Sequence, residues 1–175
     1  ETDVTMAQEG NAVDFGDLVT AARSGTCSTM GSSTRGIFAG GNTHPATINT
    51  IEFVTVATTG NASDFGDLTA ATTQAGAFSN STRGVTGGGQ SPSDTNVINF
   101  ITIATTGNAT DFGDRTVAVE QVTGASSPTR GVFAGGNPLT NVIDFVEILT
   151  TGNATDFGDL TEIRRGAAGA SNGHG

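Results

Sequence analysis

Three stretches of the chain alternate apolar and polar side chains at every second residue. They are Ile51-Glu52-Phe53-Val54-Thr55-Val56-Ala57, Ile98-Asn99-Phe100-Ile101-Thr102-Ile103-Ala104 and Ile143-Asp144-Phe145-Val146-Glu147-Ile148-Leu149. A period of two sends successive side chains to opposite faces of an extended backbone, so each stretch predicts a β-strand. Val4-Thr5-Met6-Ala7 fits the same slot near the start. No window holds the 3.6-residue period of a helix, and β-branched residues fill many of the apolar positions, so the chain reads as all-β.

Each strand leads into the block Gly-Asn-Ala-x-Asp-Phe-Gly-Asp, present at 10–17, 60–67, 107–114 and 152–159. Its first Asp stands at 14, 64, 111 and 156, spacings of 50, 47 and 45 residues. A period of that size marks a repeat architecture. The Gly-Asn pair predicts a tight hairpin with left-handed backbone, and Asp64 is placed to accept bonds from nearby amides. Phe15, Phe65, Phe112 and Phe157 are the one large apolar residue of each block, expected to anchor neighbouring units. A weaker strand is predicted over Leu18–Arg23 and its equivalents, followed by a Ser/Gly-rich loop.

A fourth block runs 33–41, 81–89 and 128–136, placing Arg35, Arg83 and Arg130 ahead of the pairs Gly40-Gly41, Gly88-Gly89 and Gly135-Gly136. Glycine pairs closing a short apolar strand predict close backbone packing, as around a crowded axis. Ser171-Asn172-Gly173-His174-Gly175 fills this slot in the last unit, with His174 at the place of Arg. The whole of 1–175 is read as one repeat domain, with units of approximately 1–50, 51–97, 98–142 and 143–175.

Composition narrows the partners. Lys is absent, so seven Arg face 17 acidic residues and leave a formal charge of -10. Such a field repels nucleic-acid phosphates and anionic lipid, and no stretch approaches the ~20 apolar residues of a membrane span. Neither nucleic-acid binding nor membrane insertion is therefore expected. Cys27 is the only cysteine, which excludes an intramolecular disulfide and a thiolate cluster. It reads as an ordinary small residue. No signal-peptide pattern is visible, and a start at Glu1 within a repeat leads us to expect a processed or partial product.

Several motifs invite chemistry and are better read as scaffold. Asp-Phe-Gly occurs four times, yet a kinase uses it once and needs a strand lysine that this chain lacks. Asn61, Asn80, Asn108 and Asn153 head glycosylation-type triplets, three of them inside the block where Asn already has a backbone role. Asn61, Asp64 and Asp67 offer three oxygens at i, i+3 and i+6 as weak calcium candidates, short of the six to eight that calcium takes; turn hydrogen bonds and pairing with Arg are preferred. The repeated Arg could bind anionic sugars bidentately, but stacking or pairing within its own unit is preferred. His44 and His174 fall in different blocks, and no Ser-His-Asp context emerges. No catalytic residue, resident metal or cofactor is expected.

Four antiparallel strands in about 45–50 residues is the period of a kelch or WD40 propeller blade. The glycine pairs, the aromatics Phe53, Phe100 and Phe145, the second aromatics Phe65, Phe112 and Phe157, and Arg35, Arg83 and Arg130 together resemble the kelch motif across essentially the whole chain. Kelch repeats usually carry Tyr and Trp, and this chain has neither. With Thr-Arg-Gly-Val-Phe-Ala-Gly-Gly at 129–136 and the run from Asn141 to Leu160, the sequence is similar to kelch-type repeats in virion structural and tail-fibre proteins of marine tailed phages.

The resemblance implies kelch-like blades of about four antiparallel strands, with about 3.7 repeats present and any ring completed by further chain or by other chains. It further implies a non-catalytic virion structural or adhesion protein, located on the virion or outside cells. Its partners would be other virion proteins, copies of itself, or a host surface glycan or receptor. The alternative is a secreted bacterial kelch-like module binding glycan or protein. An enzyme on a propeller is disfavoured, because it needs a non-repeating cluster of charged or metal-binding residues. Contacts are expected in the variable loops Asn42–Thr50, Gln90–Val97 and Asn137–Val142.

Overall fold

A computed structural model describes residues 2–3, 12–26, 30–90 and 92–170. Val4–Ala7, Gly10, Asn11, Cys27 and Ser171–Gly175 with His174 lie outside the described residues. The chain opens with a two-stranded sheet, β1 (Thr2–Asp3) and β2 (Val13–Asp14). Three four-stranded antiparallel meanders follow. The first holds β3 (Met30–Gly31), β4 (Arg35–Asn42), β5 (Thr47–Thr55) and β6 (Ser63–Asp67). The second holds β7 (Gly76–Ser79), β8 (Arg83–Gly87), β9 (Val97–Thr102) and β10 (Thr110–Asp114). The third holds β11 (Thr123–Ser126), β12 (Arg130–Ala134), β13 (Val142–Glu147) and β14 (Thr155–Asp159). No sheet closes on itself, and the described residues contain no helix.

The alternating stretches form β5, β9 and β13, as their period predicts, and the Arg–glycine block forms β4, β8 and β12. Two assignments change. Leu18–Arg23 and its equivalents are not strands; their backbones run across between sheets, with Leu68 N donating to Asn49 O at 2.7 Å and Arg115 N to Asn96 O at 2.7 Å. The strand forms later, in the Ser/Gly-rich stretch expected to be a loop. Small residues are needed there because the neighbouring sheet lies so close: a Cβ on Gly76 would stand 2.8 Å from Val122 Cγ1 and 3.2 Å from the Phe133 ring.

The Gly-Asn pair is the second. Gly60, Gly107 and Gly152 have positive φ of 157°, 155° and 154°, far from the left-handed value of about 57° that a tight hairpin takes, and none of the three Asn that follow has positive φ. The pair therefore makes no left-handed hairpin. The second glycine of the block also has positive φ, Gly66 (144°) and Gly113 (141°), and stands beside a β-bulge. Ile51 faces Gly66 and Glu52 faces Asp64, so Phe65 is the extra residue of the bulge and is turned out of the ladder.

The three four-stranded sheets pack in chain order with an apolar cluster at each of their two junctions. Met30, Ile37, Ile51, Phe65 and Leu68 meet Ala77, Ile101 and Ile103 in the first cluster. Phe78, Val85, Ile98 and Phe112 meet Phe133, Val146 and Ile148 in the second. Apolar burial of this kind, at about 25 cal/mol per Å², is the main force holding one sheet to the next.

Candidate functional site

The repeated residues converge on the junctions between sheets. At each junction the Gly-Asn-Ala of one copy docks on the Phe-Gly-Asp of the copy before. Gly60 N donates to Phe15 O (2.8 Å), Ala62 N donates to Asp17 O (2.8 Å), and Asn61 Oδ1 accepts from Asp17 N (3.1 Å). The same three bonds join Gly107, Ala109 and Asn108 to Phe65 and Asp67 at 2.7, 2.7 and 3.1 Å. They recur between Gly152, Ala154 and Asn153 and Phe112 and Asp114 at 2.7, 2.8 and 3.1 Å. The approach is so close that a Cβ on Gly66 or Gly113 would fall 2.5 Å from the Gly107 or Gly152 backbone. Phe65 and Phe112 are buried beneath these bonds at 2% and 3% exposure, and Phe15 is half-buried. Phe157, expected to be an anchor like the others, is 56% exposed, because no further sheet covers it among the described residues.

The three predicted Arg stack on a Phe of their own sheet: Arg35 on Phe53 at 4.5 Å, Arg83 on Phe100 at 4.1 Å and Arg130 on Phe145 at 4.6 Å. They do not pair with the Asp of the block. Arg35 donates to Ile103 O of the next sheet at 2.7 Å, and Arg83 to Ile148 O at 2.9 Å. Arg130 turns instead to Glu147, through Nε at 3.1 Å and a terminal nitrogen at 2.9 Å. Burial lowers the Arg83 pKa from its ordinary value.

The glycine pairs admit the following crossing segment. Gly41 N, Gly89 N and Gly136 N donate to Thr72 O, Val119 O and Arg164 O at 2.9, 2.8 and 3.0 Å. The first glycine of each pair, Gly40, Gly88 and Gly135, has φ between 63° and 73° and would press a Cβ onto that same carbonyl. Close packing at these pairs is thus a direct backbone-to-backbone contact.

A set of polar residues not singled out from the pattern also belongs to the junctions. Glu52, Asn99 and Asp144 share one face of β5, β9 and β13 with Val54, Ile101 and Val146, and all three are buried with them. Each is satisfied by the crossing segment of the copy before. Glu52 accepts from Val19 N (3.0 Å) and Thr20 N (2.8 Å), and Asn99 Oδ1 accepts from Thr69 Oγ1 at 2.5 Å. Asp144 accepts from Thr116 Oγ1 and from Arg115 Nε at 3.0 Å, with Arg115 Nη2 at 2.9 Å. Arg115 stands where the other copies have Leu18, Leu68 and Leu160. Burial pushes its guanidinium below its ordinary pKa, against the charge and hydrogen bond of Asp144, which hold it up. The sequence signal was the one Arg in a Leu position, facing an Asp where the neighbouring unit has Asn.

Asn61 gives its oxygen to Asp17 N, and Asp64 is exposed on the edge strand β6. Among the described residues no group of three or more His, Cys, Asp or Glu is gathered to hold a metal. The equivalents of Asp64 at 14 and 156 serve their own turns, accepting from Gly16 N at 3.1 Å and Gly158 N at 2.9 Å. Asn80, one of the glycosylation-type residues, is buried and bonded to Thr82 N, Arg83 N and Pro128 O.

The loops join the second and third strands of each sheet. Thr47–Thr50 is part of β5, so the first loop shrinks to 43–46, where His44 meets Arg23 at 3.3 Å. The third loop is tied at Asn137 to Glu120 (2.9 Å) and Arg165 (3.0 Å), and leaves Leu139 55% exposed. Compared with protein-family models the chain matches none, and no curated protein matches it.

Proposed function

We propose that the chain is a non-catalytic structural and adhesion module of a tailed-phage particle, a fibre or tail appendage, whose sheets are kelch-like propeller blades. The observation that supports this most is the use made of the repeated residues. At the interior junctions Phe65 and Phe112, the Gly and Asn of the block, and Arg35 and Arg83 are consumed in holding one sheet against the next. The loops between the second and third strands, within Asn42–Thr50, Gln90–Val97 and Asn137–Val142, differ in length and sequence from unit to unit. A scaffold that holds its junctions constant and varies its loops is built to display them.

The loops would contact a host surface glycan or receptor, and the remaining surface would contact other virion proteins. The test is twofold. Antibody raised against the chain should label particles in marine phage lysates by immunogold microscopy, and the labelled chain should bind intact bacterial cells unless the three loops are replaced by Gly-Ser. Absence from particles, with binding to free glycans on an array, would assign it instead to a secreted glycan-binding module.

A further inference from the structure

We infer that the outer face of the third sheet is an acceptor for the leading repeat of a second copy of this chain, giving head-to-tail assembly. Three features of that face differ from their counterparts at the interior junctions, each by lacking a partner from a next sheet among the described residues. Phe157 is 56% exposed where Phe65 and Phe112 are 2% and 3%. A Cβ on Gly158 would meet nothing within 4 Å, whereas on Gly66 or Gly113 it would strike the next unit at 2.5 Å. Arg130 falls back on Glu147, with both side chains about half exposed, where Arg35 and Arg83 reach a carbonyl of the next sheet.

The inner geometry of the face is already set as at the interior junctions. Phe145 and Phe157 meet edge to face at 5.9 Å, the same separation as Phe53–Phe65 and Phe100–Phe112. The face is therefore preformed for one kind of occupant: a Gly-Asn-Ala segment whose Gly and Ala amides donate to Phe157 O and Asp159 O, while its Asn accepts from Asp159 N. The block occurs four times, and three copies supply their Gly-Asn-Ala to junctions within the chain. The fourth, Gly10-Asn11-Ala12, carries the same residues, and Ala12 and Val13 beside it are exposed. Donor and acceptor are different segments, Gly10-Asn11-Ala12 ahead of β2 in the sequence and Phe157–Asp159 on the third sheet, so the contact is heterologous, each copy using one to hold the next. This inference does not depend on the virion reading.

Sedimentation equilibrium of the wild-type chain should show a weight-average mass rising with concentration. Phe157→Asp blocks the acceptor and Asn11→Ala the donor; each alone should reduce the associated fraction about tenfold or more at equal concentration, with an unchanged circular-dichroism spectrum. Mixing the two variants should restore dimers and nothing larger, since each retains one competent end. A wild-type chain that stays monomeric at about 1 mM, where even a millimolar interface would register, overturns the inference whatever the variants do. So does self-association of Asn11→Ala alone at the wild-type level.

Discussion

Replacing Gly113 by Ala puts the junction geometry to a quantitative test, because Gly158 supplies an internal control. The two glycines occupy equivalent places in the block and nearly the same backbone conformation, φ of 141° and 135°. An alanine at either must adopt a sparsely populated region, at a cost of roughly 1–3 kcal/mol. Only at 113 does the new methyl also enter occupied space, 2.5 Å from the carbonyl carbon and oxygen of Gly152 and 2.9 Å from Asn153 N. Those atoms are backbone and cannot swing aside as a side-chain end would. Either the third sheet shifts outward, an overpacking cost of about 1–3 kcal/mol, or the three bonds from Gly152, Ala154 and Asn153 weaken, each contributing about 0.5–1.5 kcal/mol. Gly113→Ala should therefore cost roughly 1–4 kcal/mol more than Gly158→Ala. With an m-value of about 2 kcal/mol/M, the extra loss moves the urea midpoint by roughly 0.5–2 M. Urea titration at low micromolar concentration, followed by circular dichroism, measures both variants against wild type. Equal midpoints for the two would refute the reasoning, showing that these glycines serve the bulge alone.

Three further outcomes follow from the junctions. Asp144→Asn should destabilise by about 3–5 kcal/mol, because it strands the buried Arg115 charge; adding Arg115→Leu should recover most of the loss by reproducing the Leu68–Asn99 pairing of the neighbouring junction, as thermal melts of the single and double variants would show. Phe112→Ala should cost about 3–5 kcal/mol, whereas Phe157→Ala, measured in the monomer, should cost less than half as much; equal losses in urea titrations would contradict the burial difference. Arg83→Ala loses its stack on Phe100 and its bond to Ile148 O, together about 1–2 kcal/mol, while Arg130→Ala gives up an exposed pair with Glu147 and should stay within about 1 kcal/mol of wild type by the same measurement.

The strands β5, β9 and β13 were legible because a period of two needs only local information, and the repeat of Asp-Phe-Gly-Asp marked Phe65 and Phe112 as anchors by recurrence alone. The same recurrence also marked Gly40-Gly41 and its equivalents as close approaches. Local information failed where a residue's partner lies a whole unit away. Gly60-Asn61 looked like a hairpin because that is what the pair does within one chain segment, whereas its bonds go to Phe15 and Asp17. Glu52, Asn99 and Asp144 were not singled out because alternation places side chains on one face or the other without saying what lies against it, and their partners belong to the crossing segment of the copy before. Gly76–Ser79 looked like a loop because small residues have low intrinsic strand preference; the closeness of the neighbouring sheet selects them.

Taken alone, then, the order of residues determined an all-β chain of near-equal modules, the spacing of those modules and the residue types that bind them. Stacking decided which side chains those types would meet, and with that which Phe is covered and which is bare, and whether an Arg reaches across to a carbonyl or folds back on Glu147. The division has a physical origin. Strand periodicity is a property of a single backbone, but burial and hydrogen-bond partnership are properties of a surface and whatever lies against it.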